Sequence, residues 1–390
     1  MKPPDYLHDT ICCKHFGVCG GCDSQGTPYT EQLKDKEFRL RDLFSQFDIK
    51  EFNSIVPSPR IFYYRNKMEY AVGSGTAGLF IGLRQKKRFY RVVDLEECKI
   101  FCENIKTLFD IFKEWIKNCG IEPYQMRRHS GVIRYMALRH SKYYDELMVI
   151  VVVTSKDVFV SPLVERLKSI NNIKSVYLCI NDKRADIAVA DSLMLLSGSA
   201  KIRERVNDVD YLISPASFFQ TNSYCCAELY NAIKKETKNL SGSAIDICCG
   251  SGGIALQVAS FFSCVVGVDI SARNIEDARE NAKTNGIDNV EFVMDTAEKF
   301  LSESIKSKSI RNFSTIIVDP PRAGLSKKGK SAILESGVKN VIYVSCNPNN
   351  LAEDLKILTQ SYTIDKIVPV DMFPHTRHVE VIAILKANEV

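Results

Sequence analysis

Hydrophobic and polar positions follow two rhythms along this chain. After residue 240, short apolar runs recur in "SAIDICCGSGG", "CVVGVDIS", "NVEFVMD", "STIIVDPP" and "NVIYVSCNP", separated by helical patterns such as "ARNIEDARENAKTNG". Strands alternating with helices predict a mostly parallel, doubly wound sheet. Upstream, from about residue 55 to 212, runs such as "VVDLEE", "ELMVIVVVTS" and "SVYLCIN" are broken by polar and helical stretches. That pattern predicts an α+β domain on an antiparallel sheet. Residues 29–47, "YTEQLKDKEFRLRDLFSQF", carry apolar residues at helical spacing, and residues 1–28, rich in Cys, Gly and His, read as loop. The expected division is 1–212 and 213–390.

Composition narrows the class. At 390 residues, two or three domains are expected. A 45% hydrophobic and 25% charged content fits a soluble globular protein. The start has no apolar core of signal-peptide length, and no run approaches a membrane span. The expectation is a cytoplasmic protein with no membrane partner, its 14 cysteines reduced or bound to metal. A net charge of +5 permits an anionic partner without requiring one.

In "AIDICCGSGGIALQVA" a strand runs into a glycine loop and then a helix. Gly250 and Gly252 let backbone pass close to a ligand at a helix N-terminus. Asp269 ends the next strand, where a carboxylate reaches ribose hydroxyls. The spacing also matches a dinucleotide loop. Two features favour S-adenosylmethionine over NAD: Asp246 brings negative charge near the loop, suiting a cation, and the fourth strand ends in "VDPPRAGL". The bland alternative, tight turns and helix caps, does not explain why strand, loop, acid and spacing agree.

Asp319-Pro320-Pro321 resembles the motif of amino-group methyltransferases, but Arg322 stands where an aromatic residue would stack the target base. A carbon target fits better. Carbon 5 of a pyrimidine is a poor nucleophile until a thiolate adds to carbon 6. Cys346, ending the fifth strand ahead of Asn347 and Pro348, lies at the carboxyl edge where open α/β sheets bind ligands. The helix that follows is expected to lower its thiol pKa. A base must then remove the carbon 5 proton. Glu380, sharing a strand face with Ile382 and Ile384, should have a raised pKa. The bland alternatives are a core cysteine and a carboxylate at a wet strand end.

"CKHFGVCGGCDSQ" spaces Cys13, Cys19 and Cys22 as C-x5-C-x2-C, which points to a metal in a cytosolic chain. Cys98 or Cys102 offers a fourth ligand, and zinc and a 4Fe–4S cluster both suit four thiolates. The radical-enzyme spacing is absent, because His15 occupies the position of its first cysteine. A disulfide or loose thiols would be the bland reading. Cys225, Cys226 and Cys264 read as packing. Three stretches, 63–70, 84–91 and 134–140, interleave Arg and Lys with Tyr and Phe, a pattern suited to RNA as well as to a solvated face.

Together these residues resemble the uracil-5 RNA methyltransferase family in its iron–sulfur branch, from "CKHFGVCGGCDSQ" through "YRNK", "SPASFFQTN", "DICCGSGG" and "DPPRAGL" to "SCNP" and "HVE". The resemblance implies a Rossmann-like S-adenosylmethionine methyltransferase domain preceded by an α+β domain bearing a 4Fe–4S cluster on Cys13, Cys19, Cys22 and Cys98. It implies methyl-donor contacts from Gln220, Cys248, Asp269 and Asp319, with Cys346 as nucleophile and Glu380 as base. Relatives usually carry Tyr or Phe at position 248 and Glu at 269, so an aromatic contact is lost and the reach to ribose shortened. The OB-like domain common before the cluster motif is expected to be absent, and residues 29–47 are expected to pack on the catalytic domain. The implied function is methylation of carbon 5 of a uridine in structured RNA, by a monomer. The iron–sulfur branch favours 23S ribosomal RNA, with transfer RNA as the alternative. Cytosine-5 methylation is disfavoured because that class places its cysteine after a proline. A non-catalytic iron–sulfur RNA-binding protein would leave "DPPRAGL", Cys346 and Glu380 without a role.

Overall fold

An eight-stranded sheet forms the larger half of the molecule. Its order is 49–52, 362–370, 380–387, 340–345, 313–318, 243–247, 264–269 and 290–294. The structure, a computed structural model, describes residues 12–388 except 77, 186 and 189–191. The five strands from 340–345 to 290–294 pair in parallel, as their near-continuous Val and Ile content requires of strands covered on both faces. Strand 380–387 is inserted antiparallel between 340–345 and 362–370. Helices 253–258, 272–284, 297–306, 327–336 and 348–358 alternate with these strands.

The edge of this sheet comes from far upstream. Strand 49–52 pairs in parallel with 362–370, and helix 29–44 precedes it. That helix docks through charge as well as apolar packing. Lys36, fully buried, places Nζ 2.6 Å from Asp371 Oδ1, and Tyr29 donates to Asp371 Oδ2 at 2.8 Å.

The second sheet has six strands, ordered 78–82, 67–75, 133–140, 147–153, 173–180 and 192–198. It departs from the expected antiparallel arrangement at one pair. Strands 147–153 and 173–180 run parallel, joined by the helical crossover 161–168. Residues 147–153 and 175–179 are buried without alternation, the mark of burial on two faces rather than one. Helix 105–118 covers one face with Leu108, Phe109, Phe112 and Trp115. A hairpin, 202–206 and 209–213, bridges the halves: Asn281 of helix 272–284 and Asn285 just after it accept from Leu212 N and Asp210 N.

The two arginines of stretch 134–140 do not face a nucleic acid. Arg134 is buried and donates to the carbonyls of Asn181, Lys183 and Ala185. Arg139 is equally buried and donates to the carbonyls of Pro215 and Ser217. Both guanidiniums close backbone carbonyls that would otherwise be orphaned. Among the described residues, no helix is long and apolar enough to cross a membrane.

Candidate active site

Sheet topology gathers the candidate residues at one edge. Cys248, Asp269, Asp319 and Cys346 end or directly follow parallel strands, so all stand at the carboxyl edge. Glu380 reaches the same edge from the opposite direction, because its strand is antiparallel and begins there. Ser345 pairs with Val381, which sets Cys346 beside Glu380. Gln220 arrives on the segment before helix 223–237. The six residues line one cavity of about 780 Å3.

The cofactor-side geometry follows from the glycine loop. Gly250 and Gly252 adopt left-handed φ values of 55° and 84°, a turn that brings Gly250 N to 3.0 Å from Asp269 Oδ2. Ser271 N and Asn274 Nδ2 donate to the other oxygen, Asp269 Oδ1, at 2.8 and 3.1 Å. Cys248 takes φ 61° on the approach to the loop, and its half-buried thiol lines the cavity. Asp246 is placed differently from its expected role. It is fully buried behind the loop and accepts from Ala255 N at the start of helix 253–258, at 2.9 Å. Burial and the neighbouring Asp319 hold its carboxyl well above the usual range, and it does not line the main cavity.

The catalytic side is a cluster of acids and one thiol, with Arg322 and Arg65 also in the cavity wall. Glu380 is buried, and burial followed by the charge of Asp319 pushes its pKa well up, against a lowering from Arg322. The wet-strand-end alternative is thereby excluded. Burial also raises Asp319, to about 7, while Gln220 Nε2 donates to it at 3.1 Å. Cys346 is half-buried, not a sealed core residue. Its thiol, however, is pushed up to about 11, not down. Burial is the main cause, then Glu380 and Asp319; these outweigh Arg322 and the helix start at Pro348.

The cysteines near the N-terminus converge as well. Cys13, Cys19, Cys22 and Cys98 line a cavity of about 20 Å3, while Cys102 lines a different one. Among the described residues, no group of three or more His, Cys, Asp or Glu side chains is placed to hold a single metal ion. The loop carrying these thiols also reaches the segment before Glu380. Asp23 N and Ser24 N donate to His375 O at 2.7 and 3.1 Å, and His375 N donates to Gln32 Oε1 at 3.0 Å.

Residues 28–388 match the family model of tRNA (uracil-5-)-methyltransferases. The chain belongs to that family. An uncharacterized RNA methyltransferase of Clostridium acetobutylicum is 35% identical over 384 residues, covering 96% of this chain and 83% of that protein. The tRNA (uracil(54)-C(5))-methyltransferase of Pyrococcus abyssi is 35% identical over 372 residues, covering 95% and 84%. The crystal structure of that enzyme with S-adenosyl-L-homocysteine superimposes with a TM-score of 0.79 at 34% identity, covering 94% of this chain and 84% of that one. The eight-stranded half of this tRNA (uracil-5-)-methyltransferase family member is therefore an S-adenosylmethionine-dependent methyltransferase fold.

Several lining residues of this family member lay outside the sequence reading. Phe218, Asn274 and Asp295 join the cavity wall. Asp295 was legible in principle, since it ends the run "NVEFVMD" at the same sheet edge. Arg65, within "YRNK", lines both this cavity and a groove of about 790 Å3 that also contains Lys67, Arg84, Lys86, Lys87 and Arg88. Asn66, its neighbour, donates to Gln220 O at 2.7 Å and to Ser223 Oγ at 2.9 Å. The smaller sheet thus holds the segment carrying Gln220.

Proposed function

We propose that this protein transfers a methyl group from S-adenosylmethionine to carbon 5 of a uridine in transfer RNA. One observation carries the reading: Cys346 and Glu380 share a cavity with Gln220, Asp269 and Asp319. Cys346 Sγ adds to carbon 6, forming a C–S bond and making carbon 5 nucleophilic. Carbon 5 takes the methyl group, Glu380 removes its proton, and the re-formed C5–C6 double bond expels the thiolate. A carboxylate with a raised pKa holds the abstracted proton firmly, which suits the second step. Asp269, fixed by three donors, is suited to ribose hydroxyls.

Ribosomal RNA stood first in the sequence reading; transfer RNA now does. The Pyrococcus relatives, at 35% identity, are named for uracil 54 of transfer RNA. The groove shared through Arg65, with Lys86, Lys87 and Arg88 along it, suits an RNA backbone leading to the cavity.

We further propose that Cys13, Cys19, Cys22 and Cys98 bind a 4Fe–4S cluster of structural role. The donor set supports it: four thiols line one cavity, and the remaining imidazole there, His15, already accepts from Glu96 N through Nε2 at 3.0 Å. A cluster so placed would brace the loop that holds His375.

The test is mass-spectrometric mapping of 5-methyluridine after incubating purified protein with unmodified transfer RNA, 23S ribosomal RNA and S-adenosylmethionine. Modification of one transfer-RNA uridine is expected. Modification confined to ribosomal RNA, or 5-methylcytidine instead, would replace this reading.

A further inference from the structure

Segment 60–65 serves two cavities. Arg65 lines the active site, whereas Arg60 and Tyr63 line a separate cavity of about 540 Å3 that contains none of the candidate catalytic or cofactor residues. Segment 220–224 divides in the same way, with Gln220 and Thr221 on the active site and Tyr224 on the second cavity. The volume falls within the roughly 300–1,000 Å3 of ligand sites.

Its chemistry is cationic and aromatic. Lys142 Nζ donates to Phe101 O at 2.8 Å and lies 3.1 Å from His140 Nδ1 and 5.2 Å from the Phe101 ring centroid. The acids nearby are otherwise engaged. Asp145 pairs with His140 Nε2 at 2.7 Å, and Glu204 accepts from Ser141, Lys142 N, Tyr143 N and Ser223. Glu103 is exposed at the rim. Arg60 places its guanidinium carbon 4.7 Å from the Tyr224 ring centroid. Helix 105–118 begins at the same cavity, where Asn104 makes no side-chain cap and the first turn carries no acid, Glu103 just before it being the nearest in sequence. Burial pushes the Lys142 ammonium down to about 8, against raising contributions from Cys102, Glu204 and Asp145, with Arg60 a smaller lowering one.

We propose that this cavity takes one nucleotide of the RNA substrate other than the target uridine. Its phosphate lies against Lys142, Arg60 and the helix start, and its base against Tyr63 and Tyr224. An unstacked base on an aromatic ring and a phosphate on a cation are how single-stranded RNA segments are held. Segments 60–65 and 220–224 contribute to the walls of both this cavity and the active site. The inference rests on RNA being the substrate.

The experiment is steady-state methylation of an unmodified transfer-RNA transcript by wild type and by the Arg60→Gln/Lys142→Gln double variant. The expected result is a roughly tenfold rise in KM for RNA, the size of losing about one phosphate or stacking contact. The salt dependence of RNA binding should become shallower, with kcat and S-adenosylhomocysteine affinity retained. As a check needing no variant, 4-thiouridine-containing transcript should photocrosslink to wild-type peptides containing Tyr63 or Tyr224. Unchanged KM and salt slope in a variant that still binds S-adenosylhomocysteine would overturn the proposal, as would crosslinks avoiding both peptides. Calorimetric binding of free AMP that leaves the KM for RNA unaltered would identify a metabolite site and overturn it equally. A wild type that methylates no RNA would fail the underlying function as well, an outcome readily told apart from these.

Discussion

Gln220 Nε2 donates to Asp319 Oδ2 at 3.1 Å, joining a segment held by the smaller sheet to the end of a parallel strand. Asp319 is half-buried, and desolvation raises its pKa to about 7. The neutral form is therefore the one that folding favours, and this contribution to stability is lost as pH rises through about 7. A cationic methyl donor beside Asp319 favours the ionised form. Affinity for S-adenosylmethionine should then rise with pH through about 7, with proton uptake by buffer during binding below that pH. Calorimetry in two buffers of different ionisation enthalpy measures both. Asp319→Asn should weaken binding and flatten its pH dependence; a flat wild-type profile from pH 5.5 to 8 speaks against the placement.

The Lys36–Asp371 pair, at 2.6 Å and buried on both sides, fastens helix 29–44 to the segment that leads to Glu380. Removing one partner of such a pair strands the other charge and typically costs about 3–5 kcal/mol. Asp371→Asn should lower stability by that order in urea unfolding, because Lys36 would remain buried. A loss below about 1 kcal/mol, ordinary for a surface change, would mean that the docking rests on apolar packing alone.

Cys346 and Glu380 should titrate as neighbours. Burial, Glu380 and Asp319 raise the thiol to about 11, and Arg322 opposes them. Alkylation by iodoacetamide should therefore climb about tenfold per pH unit between pH 7 and 10, since only the thiolate reacts. Glu380→Gln should accelerate alkylation at pH 8, and Arg322→Gln should slow it. An unchanged rate in Glu380→Gln would separate the two groups.

The parallel sheet was legible because its strands are short apolar runs ending in chemistry: "DICCGSGG", "VVGVDIS", "IIVDPP" and "VIYVSCNP". Local pattern also gave helix 29–44, whose apolar spacing is regular. What local pattern does not carry is the partner. Lys36 reads as surface until Asp371, 335 positions later, is known to face it. The direction of the Cys346 shift failed for the same reason: the helix start is adjacent in sequence, whereas Glu380 and Asp319 come from other strands. Arg134 and Arg139 looked like RNA ligands because their partners are carbonyls, which leave no trace in side-chain pattern.

The cysteine cavity has its own test. Protein purified without oxygen should contain iron and sulfide in equal amounts, near four of each per chain for a 4Fe–4S cluster. Cys98→Ser should lose the visible absorbance and destabilise the smaller sheet, as loss of a structural metal centre does. Stoichiometric zinc without iron would reject the cluster.

The central claim is that Cys346 forms a bond to RNA and Glu380 releases it. Denaturing gel mobility of labelled transfer RNA tests this directly, with Cys346→Ala and Glu380→Gln each incubated with and without S-adenosylmethionine. Loss of a general base typically costs about 100- to 10,000-fold, slow enough for the methylated adduct to accumulate. Glu380→Gln should give a retarded protein–RNA band, and Cys346→Ala should give none while still binding both substrates. Turnover by Cys346→Ala, or free 5-methyluridine from Glu380→Gln at the wild-type rate, would contradict the account.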